Sequence, residues 1–333
     1  MHMKIKDIAE AAGVSTATVS RVLNGKQHVR PEVQKKVLEI VKQMNYSPNR
    51  AAQSLRSRQS SMIGLVVADI QNPFFASVCR AVEDVSQAHN YSIILCNTDE
   101  NPEKEQMYLE LLQNENAAGI ILSPTKRLAK HFPQELANQT PMVLIDRKVE
   151  GVDVDSVLID NFSAAKTLTT HLLGNGLKRI AGLFGSPSIT GEERLLGYQA
   201  AFQESGIKID PDLIIELPAK MENAHEAVTK LLESESPPEA IMTSSGLLAN
   251  GAFRAIRDKE IEIPGTLAFA TFDESPWTSM TRPAITVIEQ PTYDIGMTAG
   301  EMLIKRIREQ SRPTRQVVLS SRLIIRQSCG SSQ

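Results

Sequence analysis

Two patterns of apolar residues divide the chain near residue 60. Before this point apolar residues recur at helical spacing, and after it short continuous apolar runs alternate with helical stretches. Continuous apolar strands that alternate with helices are typical of parallel sheets covered on both faces. The pattern therefore predicts a helical head followed by an α/β body.

Nine apolar runs of the body are predicted to be strands, and they form two successive sets. The first set is MIGLVVADI (62–70), YSIILCN (91–97), AGIILSP (118–124), PMVLID (141–146) and SVLID (156–160). The second set is RIAGLFG (179–185), PDLIIEL (211–217), EAIMTSS (239–245) and TLAFATF (266–272). Helical patterns between them cover 75–90, 102–114, 192–205, 222–234 and 248–259. Two such sets predict two similar α/β lobes.

Three short helices are predicted in the head. Apolar residues at helical spacing mark the first: Ile5, Ile8, Ala9 and Ala12. Gly13 stops it, and Ser15 is a suitable N-cap for a second helix from Thr16 to Leu23, which ends at Asn24-Gly25. The third starts at Pro31, with an apolar stripe of Val33, Val37, Leu38, Val41 and Met44. A tight turn between the first two helices predicts a helix-turn-helix.

The outer face of the second helix carries the candidate chemistry of the head. Val19, Val22 and Leu23 are predicted to face the core. The residues left outside are Thr16, Ala17, Thr18, Ser20 and Arg21. Small side chains let a helix lie deep in a major groove, hydroxyls bond phosphates or base edges, and arginine reads guanine. The alternative is an amphipathic helix whose polar face meets only solvent.

The distribution of charge favours the nucleic-acid interpretation. Residues 1–60 carry eleven basic and four acidic side chains, a formal charge of +7, so the rest of the chain carries −10 of the net −3. A basic head on an acidic body is typical of a domain that binds a polyanion. A merely solvated basic face is the alternative.

Composition and motifs argue against a secreted protein, a membrane protein, a metalloprotein and an enzyme. The N-terminal sequence has no apolar run of the length of a signal peptide or membrane span, and Cys79, Cys96 and Cys329 are scattered and odd in number. This indicates reduced thiols in a cytoplasmic protein. The histidines lack metal-ligand spacing, and neither a GxxxxGK[ST] phosphate loop nor a GxSxG elbow is present. We expect no catalytic residue, no metal and no cofactor.

A basic segment joins the head to the body. NYSPNRAAQSLRSRQS (45–60) breaks at Pro48 and then offers a short helix from Asn49 to Leu55. Leu55 is its one large apolar residue, which is typical of a wedge that enters the minor groove and kinks DNA. A plain linker is the alternative.

The whole chain strongly resembles the lactose repressor/galactose repressor (LacI/GalR) family of bacterial transcription factors. The resemblance rests on IKDIAEAAGVSTATVSRVLNG, MNYSPNRAAQSLRSRQS, IGLVVADIQNPFF, AAGIILSP, PMVLIDR, VLIDNFSAA, RIAGLFGS, RLLGYQAAF, TFDESPW and RPAITVIEQP. It implies that Thr16 and Ala17 are the principal base-reading positions, supported by Ser20 and Arg21, and that Leu55 is the hinge-helix wedge. The full predicted DNA-binding set is Ser15, Thr16, Ala17, Thr18, Ser20, Arg21, Asn24, Asn49, Arg50, Ala52 and Leu55.

The resemblance also implies the domain plan. A helix-turn-helix head would span 1–47, a hinge helix 48–60, and a periplasmic-binding-protein-like body 61–333. Lobe one would comprise about 61–160 plus 292–320, and lobe two about 161–290 plus the C-terminal strand, with three crossings between them. A homodimer that reads a pseudo-palindromic operator in double-stranded DNA is expected. The chain ends in a strand and a polar tail without heptads, so no tetramer is predicted.

Ligands of open α/β sheets bind beyond the carboxyl ends of the strands. Between two lobes these ends face a cleft, so polar residues after the strands are candidates, as are the two phenylalanines that follow the first strand. The resemblance places Phe75, Arg194 and Asp273 at effector contacts. The full predicted effector set is Asp69, Phe74, Phe75, Ser123, Asp146, Arg147, Arg194, Ser245, Asp273, Trp277 and Gln290, with Ser186 and Ser244 as further strand-end residues.

Two features bear on the class of effector. The family commonly has Asn-Asp where this chain has Ser245-Gly246, which weakens the case for a simple neutral hexose. Arg147 and Arg194 together would bind carboxylate or phosphate, which favours a sugar acid or sugar phosphate. Alternatively, Arg147 pairs with Asp146 or Asp160 and Arg194 contacts sugar hydroxyls.

The sequence therefore predicts a repressor of carbohydrate catabolism genes under allosteric control. A regulator that responds to a neutral sugar or a purine, or an activator on the same scaffold, remains an alternative. A periplasmic solute-binding protein shares the two-lobed plan. The basic head and the absence of a signal peptide argue against it.

Overall fold

The structure, a computed structural model, describes residues 5–23, 29–44, 61–126, 128, 134–147, 149 and 151–330. The chain divides into two compact units, Met1–Ser60 and Ser61–Gln333. The division falls where the pattern of apolar residues changes. The proposed hinge helix within 48–60 lies outside the described residues.

The described part of the first unit consists of three helices, α1 (Ile5–Ala12), α2 (Thr16–Leu23) and α3 (Pro31–Gln43). Gly13 ends the first helix with a φ of +68°, a left-handed conformation that a residue without Cβ adopts readily. The amide of Val14 then closes the turn on the carbonyl of Ala9. These elements confirm the predicted helix-turn-helix.

The core of the head follows the predicted apolar positions with one correction. Its buried members are Ile8, Ala9, Ala12, Val19, Val22 and Val37. On the third helix Leu38 is 47% exposed, and Ile40 packs against the core in its place. One residue advances a helix by about 100°, so Leu38 points away from the side that Val37 buries, whereas position 40 returns to that side.

The second unit contains two six-stranded sheets, one for each lobe. The lobe-one sheet has the order β11-β5-β4-β3-β1-β2 and is parallel throughout. Its strands are β1 (Met62–Val67), β2 (Ser92–Asn97), β3 (Gly119–Leu122), β4 (Met142–Ile145), β5 (Asp155–Ile159) and β11 (Gln316–Leu319). Buried residues on both faces of this sheet form two apolar clusters.

The lobe-two sheet has the order β12-β10-β9-β8-β6-β7, in which only β12 is antiparallel to its neighbour. Its strands are β6 (Ile180–Gly185), β7 (Ile214–Leu217), β8 (Ala240–Thr243), β9 (Ala268–Phe272), β10 (Thr286–Glu289) and β12 (Arg322–Ile324). Apolar clusters cover both faces here as well. The two sheets confirm the predicted pair of α/β lobes.

Helices cover these sheets. They are α4 (Pro73–Ala88), α5 (Pro102–Asn114), α6 (Gln134–Gln139), α7 (Asn161–Gly174), α8 (Ile189–Ser205), α9 (Met221–Leu232), α10 (Gly246–Asp258), α11 (Pro276–Met280) and α12 (Thr292–Arg308). Short 3₁₀ helices lie at Pro211–Leu213 and Gln327–Cys329. The helix pairs α4–α12, α7–α8 and α9–α10 pack closely.

The chain crosses between the lobes three times, after β5, β10 and β11. The second crossing returns α12 to lobe one, where it packs on α4. All three crossings join the same pair of lobes, so any relative movement of the lobes would act through these segments.

Several predicted boundaries differ from the structure because side chains cap the backbone, and two of them show the effect. In PDLIIEL only Ile214–Leu217 is a strand, since the side chain of Asp210 accepts the amide hydrogen of Asp212 and starts a 3₁₀ turn. Helix α8 begins at Ile189, three residues before the predicted start, because Ser188 is its N-cap.

Among the described residues, no helix combines the length and the apolar character that a membrane span requires.

Candidate functional site: a helix face and a cleft between the lobes

The outer face of α2 is polar and accessible. Thr16, Ala17 and Arg21 are exposed, while Thr18 and Ser20 are half-buried. The Ser15 hydroxyl accepts the amide hydrogen of Thr18 at 3.1 Å, which confirms the predicted N-cap. The face offers hydroxyls, a methyl group and one guanidinium, the groups that the major-groove interpretation requires. The other predicted DNA-binding residues lie outside the described residues: Asn24, Asn49, Arg50, Ala52 and Leu55.

A cavity of about 720 Å³ lies between the two lobes. Its size is in the range of small-molecule sites, and it lies at the carboxyl ends of the parallel strands. Nine of the predicted effector residues line it: Asp69, Phe74, Phe75, Asp146, Arg147, Arg194, Ser245, Asp273 and Gln290. Ser186 and Ser244 line it as well.

Two predicted effector residues do not line the cavity. Ser123 is buried behind Asp146 and donates a hydrogen bond to its Oδ2 at 3.3 Å. The ring of Trp277 packs at 5.1 Å from the ring of Phe253, against an apolar cluster of lobe two. Sequence proximity to Asp273 suggested a ligand contact for Trp277, but α11 directs the indole to the other side.

The lobe-one wall is built on Asp146 and Arg147, which follow β4. The guanidinium of Arg147 is buried and forms a two-pronged ion pair with Glu100, with Nη1 at 2.8 Å from Oε2. It also donates to the carbonyl of Pro124 at 2.9 Å, and Nε lies 3.3 Å from the Asp146 carboxylate. Burial lowers the pKa of Arg147, but Glu100 outweighs this effect and raises it above its usual range.

The ion pair resolves the alternatives for Arg147. It pairs with Asp146, as one alternative held, but not with Asp160, whose side chain accepts the amide hydrogen of Ser163 at the start of α7. The main partner, Glu100, was not among the predicted site residues. It lies in a loop after β2 with a φ of +57°, and no periodic pattern marks it.

The lobe-two wall is built on Asp273, which follows β9 with a φ of +74°. Its Oδ2 accepts the amide hydrogen of Gly246 at 2.8 Å, and its Oδ1 accepts a hydrogen from Gln290 Nε2 at 2.6 Å. Gln290 is only 6% exposed, and its Oε1 has no hydrogen-bond partner among the described residues. A buried acceptor without a partner is unfavourable, so a ligand donor that reaches it would be stabilising.

Arg194 lies on the same wall and is 4% exposed. Its Nε donates to Asn161 Oδ1 at 2.9 Å, Nη1 donates to the carbonyl of Ser244, and Cζ lies 4.0 Å above the ring of Phe272. Among the described residues, no carboxylate lies within ion-pair distance of it. Burial lowers the pKa of Arg194, and the more distant Asp273 opposes this effect.

Acidic side chains are in excess in the cavity. Among its described lining residues are six carboxylates, Asp69, Asp99, Glu100, Asp146, Glu222 and Asp273, against three cationic groups, Arg147, Arg194 and Lys220. Burial also raises the pKa of Asp146, an effect that Arg147 and Arg194 oppose. Carboxylates and amide oxygens accept hydrogen bonds, so the wall chemistry matches a ligand with many hydroxyl donors.

Ser245 has a further role that the sequence did not indicate. Its hydroxyl caps α10 by accepting the amide hydrogen of Leu248 at 3.4 Å. Within the described part of the chain, no group of three or more His, Cys, Asp or Glu side chains is arranged to hold a metal ion.

A helix-turn-helix unit together with a two-lobed body that encloses a polar cleft defines the class of ligand-responsive DNA-binding regulators. Two family profiles match the chain. "Bacterial regulatory proteins, lacI family" matches residues 4–49, and "Periplasmic binding proteins and sugar binding domain of LacI family" matches residues 60–327. The chain belongs to the LacI family of bacterial regulatory proteins and is a DNA-binding transcriptional regulator.

Individual relatives agree with this assignment. The ribose operon repressor of Halalkalibacterium halodurans is 36% identical over 324 residues, which cover 97% of this chain and 96% of that protein. The structure of a transcriptional regulator CelR-cellobiose complex is 25% identical, with a TM-score of 0.71 and coverage of 98% and 99%. The lac repressor dimer bound to operator and an anti-inducer has a TM-score of 0.85 over 99% of both chains at 22% identity, which shows a shared fold.

Proposed function

We propose that this protein represses carbohydrate catabolism genes by binding a pseudo-palindromic operator as a homodimer, under the control of a small carbohydrate held in the cleft. The observation that carries the ligand class is the acceptor-rich cavity. Its carboxylates, and Gln290 Oε1, which accepts no hydrogen bond from the described residues, favour a ligand with several hydroxyl donors.

A neutral sugar fits this chemistry best. The acidic-effector hypothesis required two arginines available for an anion, but Arg147 is already neutralised by Glu100 and Asp146. The excess of carboxylates in the cavity also repels an anion. The ribose operon repressor and the cellobiose complex among the similar proteins support a sugar ligand.

A sugar acid is the second candidate, and one observation favours it. Arg194 is buried without a carboxylate at ion-pair distance among the described residues. A buried guanidinium gains from a directly paired carboxylate, which a sugar acid would supply. A ligand carboxylate at Arg194 would have to lie away from Asp273.

The face of α2 supports the proposed operator contact. Exposed Thr16, Ala17 and Arg21 would read base edges, and the two-fold symmetry of a dimer would match two half-sites. The coupling between ligand and operator requires that the sugar bind one arrangement of the lobes better than the other, by about 1–3 kcal/mol in typical cases.

Calorimetric titration of the full chain with D-ribose, cellobiose, D-gluconate and D-glucose 6-phosphate tests the ligand class. We expect a neutral sugar to bind, and Asp273→Ala to abolish that binding while Asp258→Ala, on the exposed end of α10, does not change it. Binding of only the two anions would overturn the neutral-sugar proposal in favour of the second candidate. Binding of none would reject both candidates as represented by these probes.

Selection of operator sequences from random DNA tests the head. Arg21→Ala should weaken the selected site by about 1–3 kcal/mol with a smaller loss on random DNA, because a base contact is sequence-specific. Lys35→Ala, a charge-matched change on α3, should weaken both by similar amounts. Equal losses for Arg21→Ala on both DNAs would make it a phosphate contact.

A further inference from the structure

Asn161 occupies an unusual place in the fold. It is the first residue of α7 and follows β5 after a single residue, so it lies where the chain first crosses from lobe one to lobe two. Its side chain is buried, with the residue 3% exposed, although it does not line the cavity. The proposed ligand residues do not include it.

The amide of Asn161 bridges two adjacent charged residues of α8. Its Nδ2 donates to Glu193 Oε2 at 2.8 Å, and its Oδ1 accepts from Arg194 Nε at 2.9 Å. An ionised carboxylate only accepts and a guanidinium only donates, so these two contacts fix which end of the amide faces each partner. An aspartate at position 161 would still accept the hydrogen bond from Arg194, but its carboxylate would face the carboxylate of Glu193. An alanine would form neither hydrogen bond.

The close packing of α7 on α8 brings Asn161 within hydrogen-bond distance of Glu193 and Arg194. A Cβ at Gly197 would lie 2.2 Å from the carbonyl oxygen of Phe162, so only glycine permits the observed approach. Gly197 lies three residues after Arg194, about one turn along the same helix. The Arg-x-x-Gly spacing in RLLGYQ therefore brings the start of α7 within reach of the guanidinium.

The other contacts of Arg194 come from the interior of lobe two. Ser244 follows β8, and Phe272 ends β9. Asn161 supplies a third contact, and of these three residues it is the one adjacent to the crossover. A displacement of the β5–α7 crossover when the lobes move would therefore act on Arg194 through this amide.

We propose that Asn161 is a positioning residue, which holds the Arg194 guanidinium in its cavity-facing orientation and links it to the crossover between the lobes. The expected effect of Asn161 on ligand affinity rests on the proposed sugar site. The positioning itself is a property of the ligand-free protein, so the two are separately testable.

The first experiment reads Arg194 without a ligand. In the full chain labelled with ¹⁵N-arginine, the Nε–H signal of Arg194, assigned by its loss in Arg194→Lys, should exchange slowly with solvent. Asn161→Ala should accelerate this exchange at least about tenfold, because a buried hydrogen bond is removed. Asn161→Asp, which keeps an oxygen acceptor for Nε, should restore the protection.

The matched control is Asp160→Ala. It removes the N-cap of the same helix, the 2.8 Å contact to the amide of Ser163, but leaves the Asn161 amide in place. It should lower the melting temperature and leave the Arg194 signal protected. Protection that survives Asn161→Ala, or is lost equally in Asp160→Ala, would overturn the positioning role.

The second experiment measures affinity for D-ribose and cellobiose by calorimetry. For whichever of these probes binds the wild type, Asn161→Ala should weaken binding by about 10- to 100-fold, the range for a lost hydrogen bond to a charged group. Asn161→Asp should recover most of it. Unchanged affinity in Asn161→Ala would overturn the link to ligand binding.

The two experiments separate the two hypotheses. If neither sugar binds the wild type, the neutral-sugar site fails for these probes, while the exchange experiment still decides whether Asn161 positions Arg194. If a sugar binds and exchange is unaffected by Asn161→Ala, the sugar site stands and the positioning role is rejected.

Discussion

The two walls of the cleft use the same parts in different ways. Each has an aspartate in a left-handed conformation at the carboxyl end of a central strand, Asp146 at +69° and Asp273 at +74°. Each also has a buried arginine. Arg147 is neutralised within lobe one by Glu100 and Asp146, whereas Arg194 is held by neutral oxygens and an aromatic ring.

This difference predicts a structural role for Arg147 and a ligand contact for Arg194. A buried ion pair with both partners present contributes to order, and removal of one partner leaves an uncompensated charge. A buried cation without a direct counter-ion is a candidate ligand group, because its environment is unfavourable until something binds. We therefore expect the lobe-one arginine to shape the wall and the lobe-two arginine to contact the ligand.

The strongest test of this comparison is Arg147→Met. It leaves Glu100 and Asp146 without their cation, and we expect the free energy of unfolding to fall by about 3 kcal/mol. Thermal denaturation measures this loss. Arg254→Met serves as the control, since its 3.9 Å pair with Asp258 on α10 is exposed and should contribute almost nothing. Equal effects of the two changes would contradict the structural role of Arg147.

Arg194→Met should have a small effect on stability and a large effect on sugar affinity, the opposite of what we expect for Arg147→Met. The loss of its hydrogen bonds should reduce stability by only about 1–2 kcal/mol, because its partners are neutral oxygens and no carboxylate loses its counter-ion. Affinity for the sugar identified by calorimetry should fall by about 100-fold, near 2.7 kcal/mol. A variant that loses more stability than Arg147→Met and retains affinity would reverse the assignment of the two arginines.

Replacement of the two aspartates should also change sugar affinity to different extents, but by less than Arg194→Met does. Asp273→Asn places an amide hydrogen opposite Gly246 N or Gln290 Nε2, both of which are donors. We expect about a tenfold loss of sugar affinity. Asp146→Asn keeps an acceptor for Ser123 and should lose less affinity for the sugar. Titration calorimetry measures the sugar affinity of both variants. A larger loss of affinity for Asp146→Asn would show that the main contact with the sugar hydroxyls lies in lobe one.

The smallest expected effects are opposite pH dependences on two carboxylates. Burial raises the pKa of Asp69 in lobe one, so its charge opposes folding at neutral pH, and this penalty disappears as pH falls through the folded pKa towards 3.8. Backbone amides of Arg179 and Lys178 lower the pKa of Glu239 in lobe two, so its contribution is present above 4.5 and is lost as pH falls.

Asp69→Asn should therefore raise the melting temperature at pH 7, and Glu239→Gln should lower it, each by about 2 °C or less. As pH falls, the Asp69→Asn difference should disappear first, because the raised pKa of Asp69 lies above 3.8, whereas the Glu239→Gln difference should shrink only below 4.5, because the pKa of Glu239 is lowered. Melting curves from pH 7 to pH 3.5 measure this. Shifts of the same sign would contradict the assigned causes.

Much of the fold was predictable because it depends on local patterns. The limits of α2 and the N-cap at Ser15 follow from residue types and spacing that act within a few positions. Strand runs were identified by their continuous apolar character, and the cleft followed from the general position of ligands in α/β sheets. Leu38 was misplaced because a residue beside the apolar stripe has no local signal of its side.

The partners of the cleft residues were not predictable in the same way. Glu100 lies 47 positions from Arg147, and Asn161 lies 33 positions from Arg194, so the pairing depends on how strands are ordered and how helices pack. Glu100 carries no motif, and the VLIDNFSAA motif that contains Asn161 does not indicate which residue its side chain contacts. Conversely, residues close together along the chain need not share a site. Trp277 lies four positions from Asp273, but its ring does not line the cavity.

The sequence by itself determined the division near residue 60, the three helices of the head, nine of the strands of the body, the family, and, of the eleven predicted effector residues, the nine that line the cavity. These follow from local propensity, periodicity and motifs. Only the tertiary structure decided which arginine is neutralised, which acceptor has no partner, and which residue at the crossover touches Arg194. Charge compensation and hydrogen bonding depend on distances of 3–4 Å between distant segments, and those distances exist only after the lobes have folded.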